Sequence, residues 1–113
     1  MIKIGLLTCL RSNDVCPRVG CLQALAARED YFSVYAAQKI ELAAVWTCQG
    51  CDNLLLGDEA ARAEKLQCVL QSGIQAVHIG CCCKRDGVWC PEIRNIACIL
   101  EQHGIKVIWG THK

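Results

Sequence analysis

The sequence lacks any apolar stretch long enough to cross a membrane, because its longest apolar runs are strand-sized, whereas a membrane helix needs about 20 residues. It has no run of basic residues and a net charge of +1, so nothing favours binding to nucleic acid or to an anionic membrane. Only 2 prolines occur and no segment has low complexity, which argues against a disordered chain. The 113 residues, 53% hydrophobic and 20% charged, predict a single domain spanning residues 1–113.

Cysteine is the exception to this ordinary composition, with 11 residues in 113. In a short secreted protein such a density indicates a disulfide framework, but an odd number leaves at least one thiol unpaired. The apolar run at residues 4–10 is too short for a secretory signal, and Arg11 ends it before any small-residue cleavage site. We therefore expect a cytoplasmic protein with reduced cysteines.

Short β-type segments alternate with helical patterns along the whole chain. Strands are predicted at residues 2–8, 39–47, 76–80 and 105–109. Three helices are predicted: one after Pro17, one at residues 58–72 and one after Pro91. The residues expected on the buried faces are Leu22, Leu25 and Ala26 in the first helix, Ala63, Leu66 and Leu70 in the second, and Ile93, Ile96, Ala97 and Leu100 in the third. This alternation predicts an α/β fold with a four-stranded parallel sheet in the flavodoxin-like order 2-1-3-4 and helices on both faces.

The carboxyl ends of parallel strands lie at one edge of the sheet, where open α/β folds bind their ligands. Only Cys68 and Cys98 fall inside predicted helices, and we expect packing or incidental roles for them. Many thiolates at one edge ionise together only when a cation is bound, since each raises the pKa of the next. The sequence therefore predicts a metal ion or a metal–sulfur cluster, with candidate ligands Cys9, Cys16, Cys21, Cys48, Cys51, Cys81, Cys82, Cys90 and His112.

Cys48-Gln49-Gly50-Cys51, after the second predicted strand, is the sharpest local motif. Its spacing suits two ligands of one metal or a redox-active dithiol at the start of a helix. Side chains of extended neighbours alternate between faces, so we expect one or two thiols of the triplet 81–83 to face the site and the remainder to pack. His78, inside the third predicted strand, is expected to pack rather than to bind metal.

The segment Val45-Trp46-Thr47-Cys48-Gln49-Gly50-Cys51 resembles the signature of the CGGC-domain family, small prokaryotic proteins described as metal-binding. The resemblance covers nearly the whole chain and includes, in order, Lys3-Ile4-Gly5 with Cys9, Cys16-Pro17 with Cys21, Cys90-Pro91 and Gly110-Thr111-His112. Gln49 stands at the first glycine of the signature, which reduces backbone freedom there. The triplet 81–83 has more cysteines than the family pattern, in which Cys82 is the best match. The resemblance implies metal binding.

Three functions remain open at this point. Thiolates select zinc, copper(I) or iron–sulfur clusters over magnesium and calcium, so the first is a cytoplasmic metal-binding protein in redox chemistry or metal handling. An iron–sulfur cluster is preferred over zinc, because thiols on four loops can coordinate the several metal atoms of a cluster. The second is a metal-free thiol–disulfide reductase that uses Cys48 and Cys51, with Cys9 or Cys90 as resolving thiols. The third is a metal-dependent interaction or sensing module. A protein redox partner is compatible with the first two.

Overall fold

Four parallel strands form the central sheet of the computed structural model, which describes residues 1–49 and 59–112. Numbered along the chain and given in their order across the sheet, they are β2 (Ile40–Thr47), β1 (Ile2–Thr8), β3 (Ala76–Ile79) and β6 (Lys106–Ile108). All three neighbouring pairs are parallel. The predicted α/β fold and the strand order 2-1-3-4 are confirmed.

Two further strands, β4 (Lys84–Arg85) and β5 (Val88–Trp89), form a separate antiparallel hairpin. Its turn contains Asp86 at φ 51° and Gly87 at φ 80°, and positive φ at both central positions is the geometry that Asp-Gly favours in tight hairpins. The sequence analysis missed this hairpin, although the dipeptide is a known signal for it.

Helices cover both faces of the sheet. Helix α1 (Val19–Ala27) lies on one face, while α2 (Glu59–Gln71) and α3 (Pro91–Gln102) lie on the other. Helix α3 begins with Pro91. Proline is well suited to this position, because a backbone N–H in the first turn of a helix has no acceptor within the helix. The helix is followed by Gly104 in the left-handed region at φ 79°. In the described parts of the chain, no helix is both long and apolar enough to cross a membrane.

The side-chain alternation of the strands divides the core into two parts. On β1, Ile4 and Leu6 pack toward α1, while Leu7 packs toward α2 and α3. The α1 side is completed by a 3-10 turn at Asp30–Tyr35, which buries Phe32. The sequence analysis did not predict this turn, because its six residues are too short to show a helical period.

The predicted buried face of α1 is partly wrong. Leu22 and Ala26 are exposed, whereas Cys21, Ala24 and Leu25 are buried. The helix has only 9 residues and apolar side chains all around it, so periodicity could not select the face that meets the sheet.

The predicted face of α2 is also wrong in part, whereas that of α3 is nearly correct. Ala63 is exposed, Leu66 and Leu70 are half-buried, and the neighbouring Val69 takes the buried position. Because the apolar periodicity of α2 is weak, it does not define the buried face, which depends instead on how the helix packs against the sheet. In the strongly amphipathic α3, Ile96 is half-buried and the buried residues are Ile93, Ala97 and Leu100.

Candidate thiol site at the carboxyl edge of the sheet

The paired ends of β1 and β2 bring Cys9 and Cys48 to the same edge. The N–H of Cys48 donates to the carbonyl of Thr8 at 3.2 Å, which continues the strand pairing beyond the sheet. The chain after Cys9 enters a 3-10 turn, and there the N–H of Leu10 donates to Cys48 Sγ at 3.5 Å. Cys9 and Cys48 are 3% and 1% exposed, so both thiols belong to the core.

The cysteine triplet after β3 forms a 3-10 turn, Cys81–Cys83. Successive side chains on such a turn differ in direction by about 120°, so the three thiols have three different surroundings. Cys83 is buried in the core beneath α2 and α3, and Cys82 Sγ accepts the N–H of Cys9 at 3.4 Å. Cys81 Sγ donates to the carbonyl of His112 at 2.8 Å. The alternation expected of extended neighbours therefore does not apply here.

We call Cys9, Cys48, Cys82 and Cys83 the inner thiol cluster. The pKa of Cys83 is raised by its hydrogen bond with Cys82, by burial and by repulsion from the other three sulfurs. The pKa of Cys82 is lowered from 9.0 to about 5, first by the hydrogen bond from Cys83, while burial opposes the change and the donors Cys9 N–H and Ser12 support it. In the metal-free cluster, the negative charge is thus favoured on Cys82 and the proton on Cys83.

Cys90 lies beside the inner thiol cluster at the start of α3. Its N–H donates to the carbonyl of Cys83 at 2.9 Å. A cavity of about 190 Å³ adjoins both residues, and its lining also includes Cys9, Arg11 and Arg85.

A second group of cysteines, Cys16, Cys21 and Cys81, lies toward α1. Cys21 is buried in α1, and its Sγ lies 3.1 Å from Thr111 Oγ1. Burial raises the pKa of Cys21, the hydrogen bond with Thr111 opposes this, and repulsion from Cys16, Cys82 and Cys81 adds to it. The cysteines at this edge therefore form two groups, and Cys82 interacts electrostatically with members of both.

The segment after β6 lies across the second group. Gly110 has φ 154°, and a Cβ there would lie 2.5 Å from Tyr31 Cε2, so glycine is required at this position. A Cβ on Gly20 would lie 3.1 Å from Cε1 and Nε2 of His112, which shows that the His112 ring packs against α1. The predicted ligand His112 is thus on the side of Cys21.

His78 is a packed core residue, as expected from the sequence. It is 0% exposed. Its Nδ1 lies 3.0 Å from the carbonyl of Gly110, to which it donates, and its Nε2 accepts from the Tyr35 hydroxyl at 2.8 Å. Its ring stacks on Phe32 with centroids 4.3 Å apart. Burial lowers the pKa of His78, the Gly110 carbonyl opposes this, and the charge of Lys106 reinforces it.

The predicted ligands divide between the two groups. Cys9, Cys48 and Cys82 lie in the inner thiol cluster with Cys90 beside it, while Cys16, Cys21, Cys81 and His112 lie toward α1. Cys51 lies outside the described residues. Cys83 was missed, because no periodic signal separates a three-residue 3-10 turn from an extended strand end. Cys68 and Cys98 are exposed on their helices.

The described residues contain no group of three or more His, Cys, Asp or Glu side chains that could hold a metal ion as they stand. The family model of the CGGC domain matches residues 3–112, a range that includes both groups of cysteines. Comparisons with curated proteins and with solved structures find no match. The family match and the geometry of the sulfurs are therefore the two observations on which a function can rest.

Proposed function

We propose that this chain, which belongs to the CGGC domain family, binds a soft metal ion or a metal–sulfur cluster through the inner thiol cluster. The observation that carries the proposal is a pair of consecutive backbone amides that donate to two sulfurs. The N–H of Cys9 donates to Cys82 Sγ at 3.4 Å, and the N–H of Leu10 donates to Cys48 Sγ at 3.5 Å. Hydrogen bonds to cysteine sulfur stabilise thiolate charge and tune metal–sulfur centres.

The set of donors at this site fits a thiolate-ligated centre. The inner thiol cluster supplies four sulfurs, and Cys90 supplies a fifth at the adjacent cavity. Sulfur ligands select zinc, copper(I) and iron–sulfur clusters. Because Cys83 is protonated in the absence of metal, binding would release its proton and remove the repulsion between neighbouring sulfurs.

An iron–sulfur cluster is our first candidate and zinc is the second. Either uses four protein ligands, so the number of sulfurs does not separate them; the cluster is preferred because thiols from several loops can coordinate its separate metal atoms. When bound, a cluster would supply electron transfer, whereas zinc would supply structure or metal handling. Since no preformed three-ligand group occurs among the described residues, we expect binding to reorient side chains and to stabilise the fold.

Three of the sequence predictions stay predictions. Ligation by the cysteines of the second group, or by His112, is one of them. The use of Cys51 is another, because it lies outside the described residues. A cytoplasmic location is the third, and it accords with a site that needs reduced thiols.

The Cys82–Cys83 pair favours thiol–disulfide exchange as a second candidate function. The Cys82 thiolate, with a pKa of about 5, would attack a substrate disulfide, form a mixed disulfide and release one thiolate. A neighbouring thiol of the cluster would then attack the mixed disulfide, lose its proton to solvent and release the second substrate thiolate. The protein would end with an internal disulfide. The sequence prediction had assigned this chemistry to Cys48 and Cys51.

Anaerobic purification followed by elemental analysis and a visible spectrum tests the metal proposal. We expect iron with acid-labile sulfide and visible absorption, or zinc without it. The variant Cys48→Ser with Cys82→Ser should lose most of the metal and unfold at lower temperature, because metal binds the folded state. The control Cys68→Ser with Cys98→Ser changes two exposed helix positions and should keep both properties.

A parent protein that stays metal-free without oxygen, takes up neither iron nor zinc and yet reduces disulfides would overturn the metal proposal in favour of exchange. In that case the Cys48→Ser, Cys82→Ser variant should fold as well as the parent but lose reductase activity. A parent with neither property would contradict both functions. Full metal retention by the variant would contradict the assignment to the inner thiol cluster.

A further inference from the structure

A cavity of about 370 Å³ lies between β2, α2 and α3. This volume is within the range of about 300–1,000 Å³ typical of small-molecule sites. Much of its wall is apolar, formed by Trp46, Leu66, Ile96 and Ile99. Cys48 also lines it, so the cavity adjoins the inner thiol cluster, but the proposed metal site does not use it.

Charged side chains of both signs line the same cavity. Arg62 and Lys65 come from α2, and Glu59 and Glu92 come from the first turns of α2 and α3. Lys65 Nζ donates to Gln49 Oε1 at 3.0 Å. Among the described residues, the lining therefore has two positive and two negative groups beside an apolar wall.

Arg62 has unused hydrogen-bonding capacity. Its Nε is buried and has no hydrogen-bond partner among the residues that the structure describes. Its Nη1 lies 3.8 Å from Glu92 Oε1, which is too far for a hydrogen bond. Buried polar groups without a partner are rare in folded proteins. The Arg62 side chain as a whole remains 30% exposed, so its terminal Nη groups can receive a carboxylate in two-point contact.

We propose that this cavity binds a small zwitterion, namely an α-amino acid with an apolar side chain. The ligand carboxylate is held by Arg62 and Lys65, and its ammonium group is held by Glu92 and Glu59. Its side chain lies against the apolar wall at Leu66 and the isoleucines of α3. A zwitterion fits better than a simple anion, because the described residues of the lining carry charges of both signs.

Calorimetric titration of the full-length, reduced protein with L-methionine tests the proposal. Two analogues lack one charge each: L-methioninamide lacks the carboxylate and N-acetyl-L-methionine lacks the ammonium group. We expect L-methionine to bind and each analogue to bind at least about tenfold more weakly, since each loses a charged hydrogen bond. Arg62→Met should weaken L-methionine binding to a similar degree. The matched control Arg94→Met, at an exposed position of α3, should not.

Equal binding of L-methionine and its amide, or no binding of L-methionine at millimolar concentration, would overturn the proposal. If Arg62→Met fails to fold, the comparison of analogues on the unchanged protein still decides. The titration is made on metal-free protein and repeated after reconstitution with iron and sulfide or with zinc. The cavity does not require the metal to bind its ligand. If L-methionine does not bind, the metal proposal is unaffected, and if the protein holds no metal, the proposal for the cavity is unaffected.

Discussion

The two groups of cysteines at the carboxyl edge differ in how their sulfurs contact the backbone, although Cys83 of the inner thiol cluster, like Cys81, donates to a carbonyl. In the inner thiol cluster, the sulfurs of Cys48 and Cys82 accept backbone N–H groups. In the second group, Cys81 donates its proton to a carbonyl, and burial raises the pKa of Cys21 while its hydrogen bond with Thr111 opposes the change. The number of cysteines therefore does not define the site, because burial, hydrogen bonds and neighbouring sulfurs together set the pKa of each thiol.

This difference follows from the backbone that each group meets. The inner thiol cluster faces the beginning of the 3-10 turn after β1, where the first N–H groups have no partner within the turn. The thiol of Cys81 instead meets a carbonyl group of the segment after β6. A backbone N–H that donates to sulfur stabilises the thiolate, whereas a carbonyl that accepts from sulfur stabilises the protonated thiol. Neighbouring cysteines therefore differ in their chemistry.

The largest expected effect is the separation of Cys82 and Cys21 in alkylation. In metal-free, reduced protein, the rate at Cys82 should be half-maximal near pH 5, whereas Cys21 should reach that point only above pH 9.0. Iodoacetamide labelling at a series of pH values, read by mass spectrometry of peptides, measures both. Cys83→Ala should move the Cys82 midpoint upward, because it removes the main donor to that sulfur. Labelling of Cys21 at a lower pH than Cys82 would reverse the comparison.

The α1 side depends on one aromatic side chain, and removing it should be strongly destabilising. Phe32 is 0% exposed and stacks on His78, so Phe32→Ala should lower the free energy of unfolding by about 3–5 kcal/mol. Urea denaturation measures the change. The control Val34→Ala lies in the same 3-10 turn at 62% exposure and should alter stability by about 0.5 kcal/mol or less. A similar loss in both variants would contradict the packing role of Phe32.

The smallest expected effect is the acid sensitivity that His78 gives to the α1 side. Its pKa is lowered from 6.5 in the folded protein, so its neutral form contributes stability fully above pH 6.5. That contribution is lost as the pH falls through the folded pKa. Burial raises the pKa of Tyr35, so its hydroxyl stays neutral and offers no negative charge to a protonated His78. The positive charge of Lys106 also disfavours protonation of His78.

Urea denaturation at neutral and mildly acidic pH checks this expectation. The parent should lose stability below pH 6.5, and His78→Gln should lose less over the same range. The matched control His103→Gln changes an exposed residue at the end of α3 and should follow the parent. If His78→Gln and the parent share one pH profile, His78 does not titrate on unfolding as proposed.

Several elements could be predicted because their signal is local. The bounds of β1 are those predicted, and β2 begins at Ile40, one residue later than expected. Helix α3 combines Pro91 at its start, a clear apolar stripe and Gly104 after its end, so its face was predicted well. By contrast, α1 has no polar side to mark its orientation, and the residues that it buries depend on the sheet and on Phe32.

The sequence by itself determined that the strands are parallel and that most cysteines meet at one edge, because short strands alternating with helices require crossovers of one hand. Only the tertiary structure decided which sulfurs accept hydrogen bonds. The contact between the N–H of Cys9 and Cys82 Sγ joins residues 73 positions apart. It depends on how β1 and β3 are placed side by side and on the turn that each strand enters at its end. No local pattern encodes such a contact, since the partners of a buried polar atom are fixed only when distant segments pack together.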